Sequence, residues 1–215
     1  MAFFIRLELA LSSRRGRGLF YPTLTAHTIL GVFLKKKAVC DGISKAFKYL
    51  LNMADMKSVV VYGKGKKDAN SEPEPHSWNI VKISGKSCHI DLTWNLNSCL
   101  NGRPSYDYYC LTDDRIKIDH YDFASVPECQ SSEMDYFISN GFVIDNIYAL
   151  HRYIYGIPKQ MPFSVYVRLN YSCDLKKELD KAKNAVSSIA LGIKPCLVMT
   201  TSMNERQGTI RIYAE

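Results

Sequence analysis

Residues 38–54 read AVCDGISKAFKYLLNMA, and this stretch decides how the rest of the chain is interpreted. Counted from Cys40, apolar residues recur at offsets of three, seven, ten, eleven and fourteen, which is the spacing of one buried stripe on an α-helix. The pattern therefore predicts that Cys40 lies in the first turn of a core helix. Gly42 has no side chain, which favours close approach of another backbone segment at this point.

A cysteine at a helix start can act as a nucleophile, because the helix dipole favours its thiolate. The thiol also needs a base to take its proton, and the base needs a carboxylate that orients it. Two later segments supply these groups, HSWN at residues 76–79 and HIDLTW at residues 89–94. We therefore predict that Cys40 is the nucleophile, His76 the base and Asp91 its carboxylate partner.

The strand pattern bears on whether His76 and Asp91 can meet. Residues 76–83 and 87–94 are predicted to form two neighbouring antiparallel strands. A two-residue turn at Gly85-Lys86 puts both side chains on one face but separates them by four residues, roughly 13 Å along the strand. We therefore expect a wider loop or a bulge that shifts the register.

The composition is that of a folded domain. The chain has 215 residues, of which 47% are hydrophobic and 12% aromatic, so it can bury a substantial core. It has no run of about 18 apolar residues, and we predict no membrane span. The first residues lack the order of charged, apolar and small residues that marks a secretory signal, and we expect a cytoplasmic location.

The charge is positive but scattered. The sequence has 28 basic and 21 acidic residues, a net charge of +7. The basic residues lie in short groups without an accompanying aromatic and basic reading motif, which is typical of solvated surfaces. We predict no nucleic-acid partner.

The seven cysteines contain no CxxC pair. A zinc site formed by Cys88, His89, Cys99 and Cys110 is conceivable, but these spacings match none of the usual ligand patterns. We therefore predict no metal. An odd number of cysteines fits either free thiols in a reducing compartment or one free catalytic thiol beside disulfides, and both alternatives stay open.

The second half of the chain mixes both kinds of pattern. Residues 162–169 alternate as a strand, residues 174–191 form a helical pattern that opens with an aspartate cap, and residues 195–214 are typical of a hairpin. Helices and strands are therefore expected in this half as well.

The three motifs, taken in this order, resemble those of the transglutaminase-like superfamily. Residues 38–42, AVCDG, are similar to the family pattern at the nucleophile, HSWN resembles its His-Ala-Trp-Asn motif, and DLTW at residues 91–94 resembles its Asp-x-Thr-Trp motif. Residues 106–120 also resemble a segment that follows the triad in bacterial members. Ser44 and Ser77 stand where the family usually has alanine, which bears on the shape of the site near the helix start.

The resemblance, which covers residues 23–123, implies an α+β fold. Its papain-like, transglutaminase-like core has an N-terminal cysteine-bearing helix packed on an antiparallel sheet, and here a C-terminal α/β extension would follow. The implied domains are an atypical N-terminal segment at residues 1–20, a catalytic core at residues 21–130, and an extension at residues 131–215 that packs on or follows the core.

The resemblance further implies cysteine-dependent acyl transfer or hydrolysis on peptide or protein amides. Cys40, His76 and Asp91 would act through a thioacyl-enzyme, with the backbone N–H of Cys40 as a candidate oxyanion donor. The reaction requires no metal or organic cofactor. Hydrolysis, deamidation and transamidation stay open, and the expected partner is a peptide or protein substrate.

The remaining site predictions concern residues other than the triad. The substrate site is expected to be lined by Trp78, Trp94, Asp41 and Gly42. We interpret the other histidines of this region and beyond, His89, His120 and His151, as structural or exposed. The alternative function is a non-catalytic transglutaminase-like domain that binds proteins as part of a larger polypeptide.

Overall fold

The computed structural model describes residues 24–68, 70–124, 127–158, 160–190 and 197–215. The N-terminal segment predicted at residues 1–20 lies outside the described residues. The chain divides into two compact units, Met1–Asp135 and Tyr136–Glu215. Each unit combines helices with strands, so the fold class is α+β.

Helix α1, Cys40–Met53, begins at the predicted nucleophile. The predicted apolar stripe is only partly correct, because Phe47 and Leu51 are buried while Ala54 ends the helix and is exposed. The buried face of the helix is instead rich in small residues, which allows neighbouring segments of the chain to approach it closely. The buried residues of α1 are Gly42, Ser44, Ala46, Phe47 and Leu51.

Gly42 confirms the expected close approach of another backbone segment. A Cβ atom at this position would lie 2.3 Å from the Ala26 carbonyl oxygen and 3.0 Å from the Thr28 carbonyl oxygen. Ala26 belongs to a short 3₁₀-helix, Leu24–His27, which is followed by a turn of π-helix at Gly31–Lys35. The segment before α1 is therefore packed against the start of that helix.

The first unit also contains a five-stranded antiparallel sheet, with strand order β4-β3-β2-β1-β5. Helix α1 packs against β1 and β2. The short helices α2 and α3 follow β3 and β4 in the chain. The bounds are β1 Ser58–Gly65, β2 Glu74–Ile83, β3 Lys86–Ile90, α2 Leu92–Asn97, β4 Tyr109–Leu111, α3 Asp113–Ile116 and β5 His120–Tyr121.

The β2–β3 hairpin has a tight turn, so the expected wider loop is wrong. Ile83 pairs with Lys86, which makes Ser84 and Gly85 the two turn residues. Their φ angles are 49° and 84°, as a type I′ turn requires at both central positions. The turn lies one residue earlier than predicted, and this shift moves every pair of the hairpin.

Strand β3 ends at Ile90, four residues before the predicted end at Trp94. The cause is local, because Asp91 caps helix α2 and its Oδ1 accepts a hydrogen bond of 3.1 Å from the Trp94 backbone N–H. A capped helix competes with the strand for the same backbone groups. Asp91 therefore lies between the end of β3 and the start of α2.

One apolar cluster of the first unit includes both tryptophans of the motifs. It draws its residues from β1, β2, β4 and the segments that follow β3 and β4. Its buried members are Val61, Trp78, Ile80, Trp94, Tyr108, Leu111, Ile116 and Cys129.

The second unit has a four-stranded sheet of order β6-β7-β9-β8, in which only β6 and β7 are parallel among the described strands. The predicted strand, helix and hairpin are present, although the start of the hairpin prediction at residues 195–196 lies outside the described residues. The bounds are α4 Tyr136–Ser139, β6 Val143–Ile144, α5 Ile147–Tyr155, β7 Phe163–Leu169, α6 Leu175–Ala190, β8 Met199–Asn204 and β9 Thr209–Ala214.

Hydropathy of the helices bears on membrane association. Within the described ranges, every helix is too short or too polar to cross a membrane.

Candidate active site

Cys40 is the first residue of α1, where the N–H groups of a helix have no intrahelical partners. The N-cap residue, Val39, supplies no side-chain hydrogen bond to them. The partial positive charge of the helix start is therefore not offset by a capping side chain, and it favours an anion at the cysteine. Cys40 is a partly exposed residue rather than a fully buried one.

His76 lies on β2 and connects Cys40 with Asp91. Its Nε2 donates a hydrogen bond of 2.7 Å to Asp91 Oδ2, and the other ring nitrogen is left for the cysteine side. His76 and Asp91 are both buried. The structure thus brings together the base and the carboxylate predicted from the sequence.

The register explains this contact. Asn79 pairs with Ile90, so a continued strand would place Asp91 opposite Trp78. His76 is two residues further along β2 on the same face, the diagonal position that long side chains can span. Because the chain leaves the strand at Asp91, this carboxylate can turn towards His76.

The electrostatics of the site lower the pKa of the Cys40 thiol and raise the pKa of the His76 imidazole. Burial alone would raise the pKa of the Cys40 thiol, but hydrogen bonding and charge from His76 outweigh it, and this pKa lies below its ordinary value. Burial opposes protonation of His76, yet Asp91 and Cys40 raise the pKa of His76 to about 10. A thiolate and an imidazolium therefore stabilise each other at the site.

Ser77 also favours the thiolate. Its backbone and its hydroxyl both contribute to the lowered pKa of Cys40. The hydroxyl is buried and makes no hydrogen bond of normal geometry with any described residue, so it acts on the thiolate as a nearby dipole. Ser44 Oγ donates a 3.0 Å hydrogen bond to the Ser77 carbonyl oxygen, so these two serines contact each other.

Two indoles form the walls around His76. The Trp94 ring stacks on the imidazole with centroids 5.0 Å apart, and the Trp78 ring lies at 6.0 Å. Glycine makes this packing possible, because a Cβ at Gly65 on β1 would lie 2.7 Å from Trp94 Cζ2. The tryptophans predicted to line the site therefore pack against the base.

His120 is a buried member of the site whose role was missed in the sequence. Its Nε2 donates to Asp91 Oδ2 at 3.2 Å, and its Nδ1 donates to Asp119 Oδ1 at 2.7 Å. Tyr108 Oη donates to Asp119 Oδ2 at 2.9 Å. Burial opposes protonation, but the two carboxylates raise the pKa of His120. The Asp119-His120 pair falls in the segment that resembles bacterial family members, which was the available signal.

His89 is also buried, but it contacts Trp78 and Asp113 rather than Asp91. The Trp78 indole N–H donates to His89 Nδ1 at 2.9 Å, so the ring proton lies on Nε2 and is donated to Asp113 Oδ1 at 2.8 Å. Burial lowers the pKa of His89 to about 4, despite the partial compensation by Asp113. His89 is therefore neutral and orients Trp78. His151, the third histidine, is exposed on α5.

Asp41 and Gly42 lie beside the nucleophile but differ in exposure. Asp41 accepts hydrogen bonds from Lys45 Nζ at 2.9 Å and from Tyr62 Oη at 3.1 Å. The side chains of Asp41, Lys45 and Tyr62 therefore form a hydrogen-bonded group near Cys40. Gly42 is buried against the Ala26 backbone, so its function here is packing at the helix start.

Among the residues that the structure describes, two groups of side chains have donor atoms close enough for a metal ion, His76 with Asp91 and His120, and His89 with Asp113 and Cys129. In the second group the bond from Trp78 requires a proton on His89 Nε2, which occupies the lone pair a metal would need. In the first group both histidines already donate to Asp91. Hydrogen bonds between the residues thus satisfy both groups.

The conceivable zinc set of Cys88, His89, Cys99 and Cys110 is not one of the groups found in the described part of the chain. Cys88 and Cys110 do contact each other, but His89 follows Cys88 in a strand and points to the opposite face.

The chain was also compared with known proteins. No protein-family model matches it, and no curated protein sequence matches it. The function proposed below therefore rests on the geometry and electrostatics of these side chains.

Proposed function

We propose that this chain is a transglutaminase-like cysteine enzyme with a papain-like core, acting on peptide or protein amides. The observation that carries the proposal is the buried His76 between the Cys40 thiol and the Asp91 carboxylate. Each member has the electrostatic state that its role requires, since the thiol pKa is lowered and the imidazole pKa is raised.

In the proposed reaction, the Cys40 thiolate attacks the carbonyl carbon of a substrate amide. His76 then gives its Nδ1 proton to the leaving nitrogen as the C–N bond breaks. Ammonia or an amine departs, and the acyl group stays bound to Cys40 as a thioester. In the second half water or an amine attacks this thioester, His76 takes up one proton from the attacking molecule, and the C–S bond breaks to restore the thiolate. Asp91 keeps Nε2 protonated throughout and so directs Nδ1 at the sulfur.

His120 is assigned a supporting role in this scheme. It donates to the same Asp91 oxygen that accepts the proton of His76, and Asp119 fixes its ring. We regard His120 as a positioning residue, because it touches Asp91 rather than Cys40.

The experiment compares the reactivity of two cysteines with opposite properties. Cys173 is more exposed than Cys40, but burial and nearby acidic groups raise its pKa. Iodoacetamide at neutral pH should therefore modify Cys40 first, although Cys173 is easier to reach. Peptide mapping after short labelling times measures both rates, and the His76→Ala variant should abolish the preference.

The reaction itself is tested by incubating the protein with a library of glutamine-containing peptides, with and without a primary amine. Mass spectrometry distinguishes deamidation, amine adducts and backbone cleavage. The Cys40→Ala variant should give none of these products, whereas Cys173→Ala should retain them. Equal labelling of Cys40 and Cys173, with no product from any peptide, would contradict the proposal and favour the non-catalytic binding domain.

A further inference from the structure

A second pair of thiols lies apart from Cys40. Cys88 Sγ and Cys110 Sγ are 2.8 Å apart, and both side chains are completely buried. A disulfide bond measures about 2.05 Å, whereas non-bonded heavy atoms such as carbon pack at about 3.5–4.0 Å. The two sulfurs are therefore closer than ordinary packing brings them. We propose that Cys88 and Cys110 form a disulfide that links β3 to β4.

The backbone positions these two thiols across neighbouring strands. His89 pairs with Leu111 and Ile90 pairs with Tyr109, which leaves Cys110 as the additional residue of a bulge in β4. Its φ angle of 55° lies in the left-handed region, which a side-chain-bearing residue adopts only when its surroundings hold it there. A covalent bond to Cys88 supplies such a restraint.

The linked strands carry part of the candidate active site. Asp91 follows β3 immediately, and its backbone N–H donates a 3.0 Å hydrogen bond to the carbonyl oxygen of Tyr108, the residue just before β4. The disulfide would close the loop of residues 88–110 and hold these two ends together. It would also restrict the unfolded chain, which is the main way that disulfides stabilise folded proteins.

The free thiols do not react readily once the protein is folded. The contact with Cys110 and burial both raise the pKa of Cys88, and a buried protonated thiol is a poor nucleophile in thiol–disulfide exchange. The bond therefore forms while the chain folds. The two thiols lose two protons and two electrons, and one molecule of oxidised glutathione accepts them to become two molecules of reduced glutathione.

The proposal also bears on the odd number of cysteines. Of the seven cysteines in the chain, two would be joined, and Cys40 would keep its free thiol for chemistry. The pairing does not depend on the proposed function, because it concerns strands β3 and β4 whether or not Cys40 is catalytic.

The test uses the full chain, which is unfolded in its reduced form and refolded with oxidised and reduced glutathione or with a reducing agent alone. Denaturation in N-ethylmaleimide then counts free thiols by intact mass, and a non-reducing peptide map identifies linked residues. After oxidative refolding we expect five modified cysteines, seven minus two, and a peptide linking Cys88 to Cys110. After reducing refolding we expect seven.

Thermal unfolding provides the second measurement. The oxidised protein should melt roughly 5–10 °C higher than the reduced one. This difference should vanish in the Cys88→Ala/Cys110→Ala variant and persist in Cys173→Ala, which removes an exposed cysteine. If the double variant does not fold, the peptide map of the wild type still decides.

Two results would overturn the proposal. One is modification of all seven cysteines after oxidative refolding. The other is a map in which Cys88 or Cys110 is linked to a different cysteine, such as the buried Cys129.

Discussion

The His120 imidazole holds the Asp91 carboxylate, with Nε2 lying 3.2 Å from Oδ2. The same oxygen accepts the hydrogen bond from the base at 2.7 Å. Asp91 therefore has a fixed position before any substrate arrives, because His120 binds its Oδ2 and the Trp94 backbone N–H binds its Oδ1. The site is prearranged by a residue that never touches the thiol.

Replacing His120 by glutamine should slow the chemistry at Cys40. Losing a hydrogen bond to a charged group costs about 1.5–3 kcal/mol, which corresponds to a rate reduced by roughly tenfold to a hundredfold. The measurement is the rate of iodoacetamide labelling at Cys40 as a function of pH. His151→Gln, at an exposed histidine, is the control, and equal pH profiles for both variants would remove His120 from the site.

Replacing Ser77 by alanine should raise the pKa of Cys40. Burial favours the neutral thiol, and Ser77 is one of the groups that oppose this effect, so its removal leaves less stabilisation of the thiolate. The midpoint of the labelling rate should move to higher pH while the plateau rate changes little. Ser44→Ala serves as a comparison, because its hydroxyl bonds only the Ser77 carbonyl among the contacts described at this site. A midpoint unchanged in Ser77→Ala contradicts the assigned role.

The activity of the wild type should have two pH limits. It should rise as Cys40 loses its proton, at a pH below the ordinary value for a thiol because its pKa is lowered. It should fall as His76 loses its proton near pH 10, since the leaving nitrogen then has no proton donor. Initial rates of product release across this range provide the measurement. A rise centred on the unperturbed thiol pKa would argue against the ion pair.

Adding a methyl group at Gly65 should disturb the base. The Cβ would lie 2.7 Å from Trp94 Cζ2 and 3.3 Å from His76 Cδ2, so the indole must shift against the imidazole. We expect Gly65→Ala to lower the free energy of unfolding by about 1–3 kcal/mol, as other overpacked sites do, and to slow Cys40 labelling. Urea unfolding and labelling measure the two effects. Lys64→Ala, at an exposed ion pair on the same strand, should alter neither.

His89 should make the protein acid-sensitive. Burial lowers its pKa to about 4 in the folded state, while the unfolded chain has an ordinary value of about 6.5. Between these values the unfolded state binds the extra proton, so the free energy of unfolding falls as the pH falls, by about 3 kcal/mol from this group.

The matched variant is His89→Gln, which keeps a donor and an acceptor but does not titrate in this range. Urea unfolding at several pH values should show a smaller loss of stability for His89→Gln than for the wild type. An identical loss in both proteins would mean that His89 is not the group responsible.

Part of the site could be read from short-range patterns. Helical spacing predicts the start of α1 at Cys40, and the close approach at Gly42 follows from its missing side chain. Both are properties of a few consecutive residues. The turn at Ser84-Gly85 was predicted one residue late, because the sequence offers several neighbouring turn residues and only the pairing with β2 selects among them.

The sequence by itself determined the order of the three motifs, the face shared by His76 and Asp91, and the mixed helix and strand character of the chain. Alternation and helical spacing are local, so they can be read without a fold. Only the tertiary structure decided that His120 binds Asp91 and that Cys88 meets Cys110. These contacts join residues 29 and 22 positions apart, and their formation depends on strand register, a bulge and a helix cap that no single segment specifies.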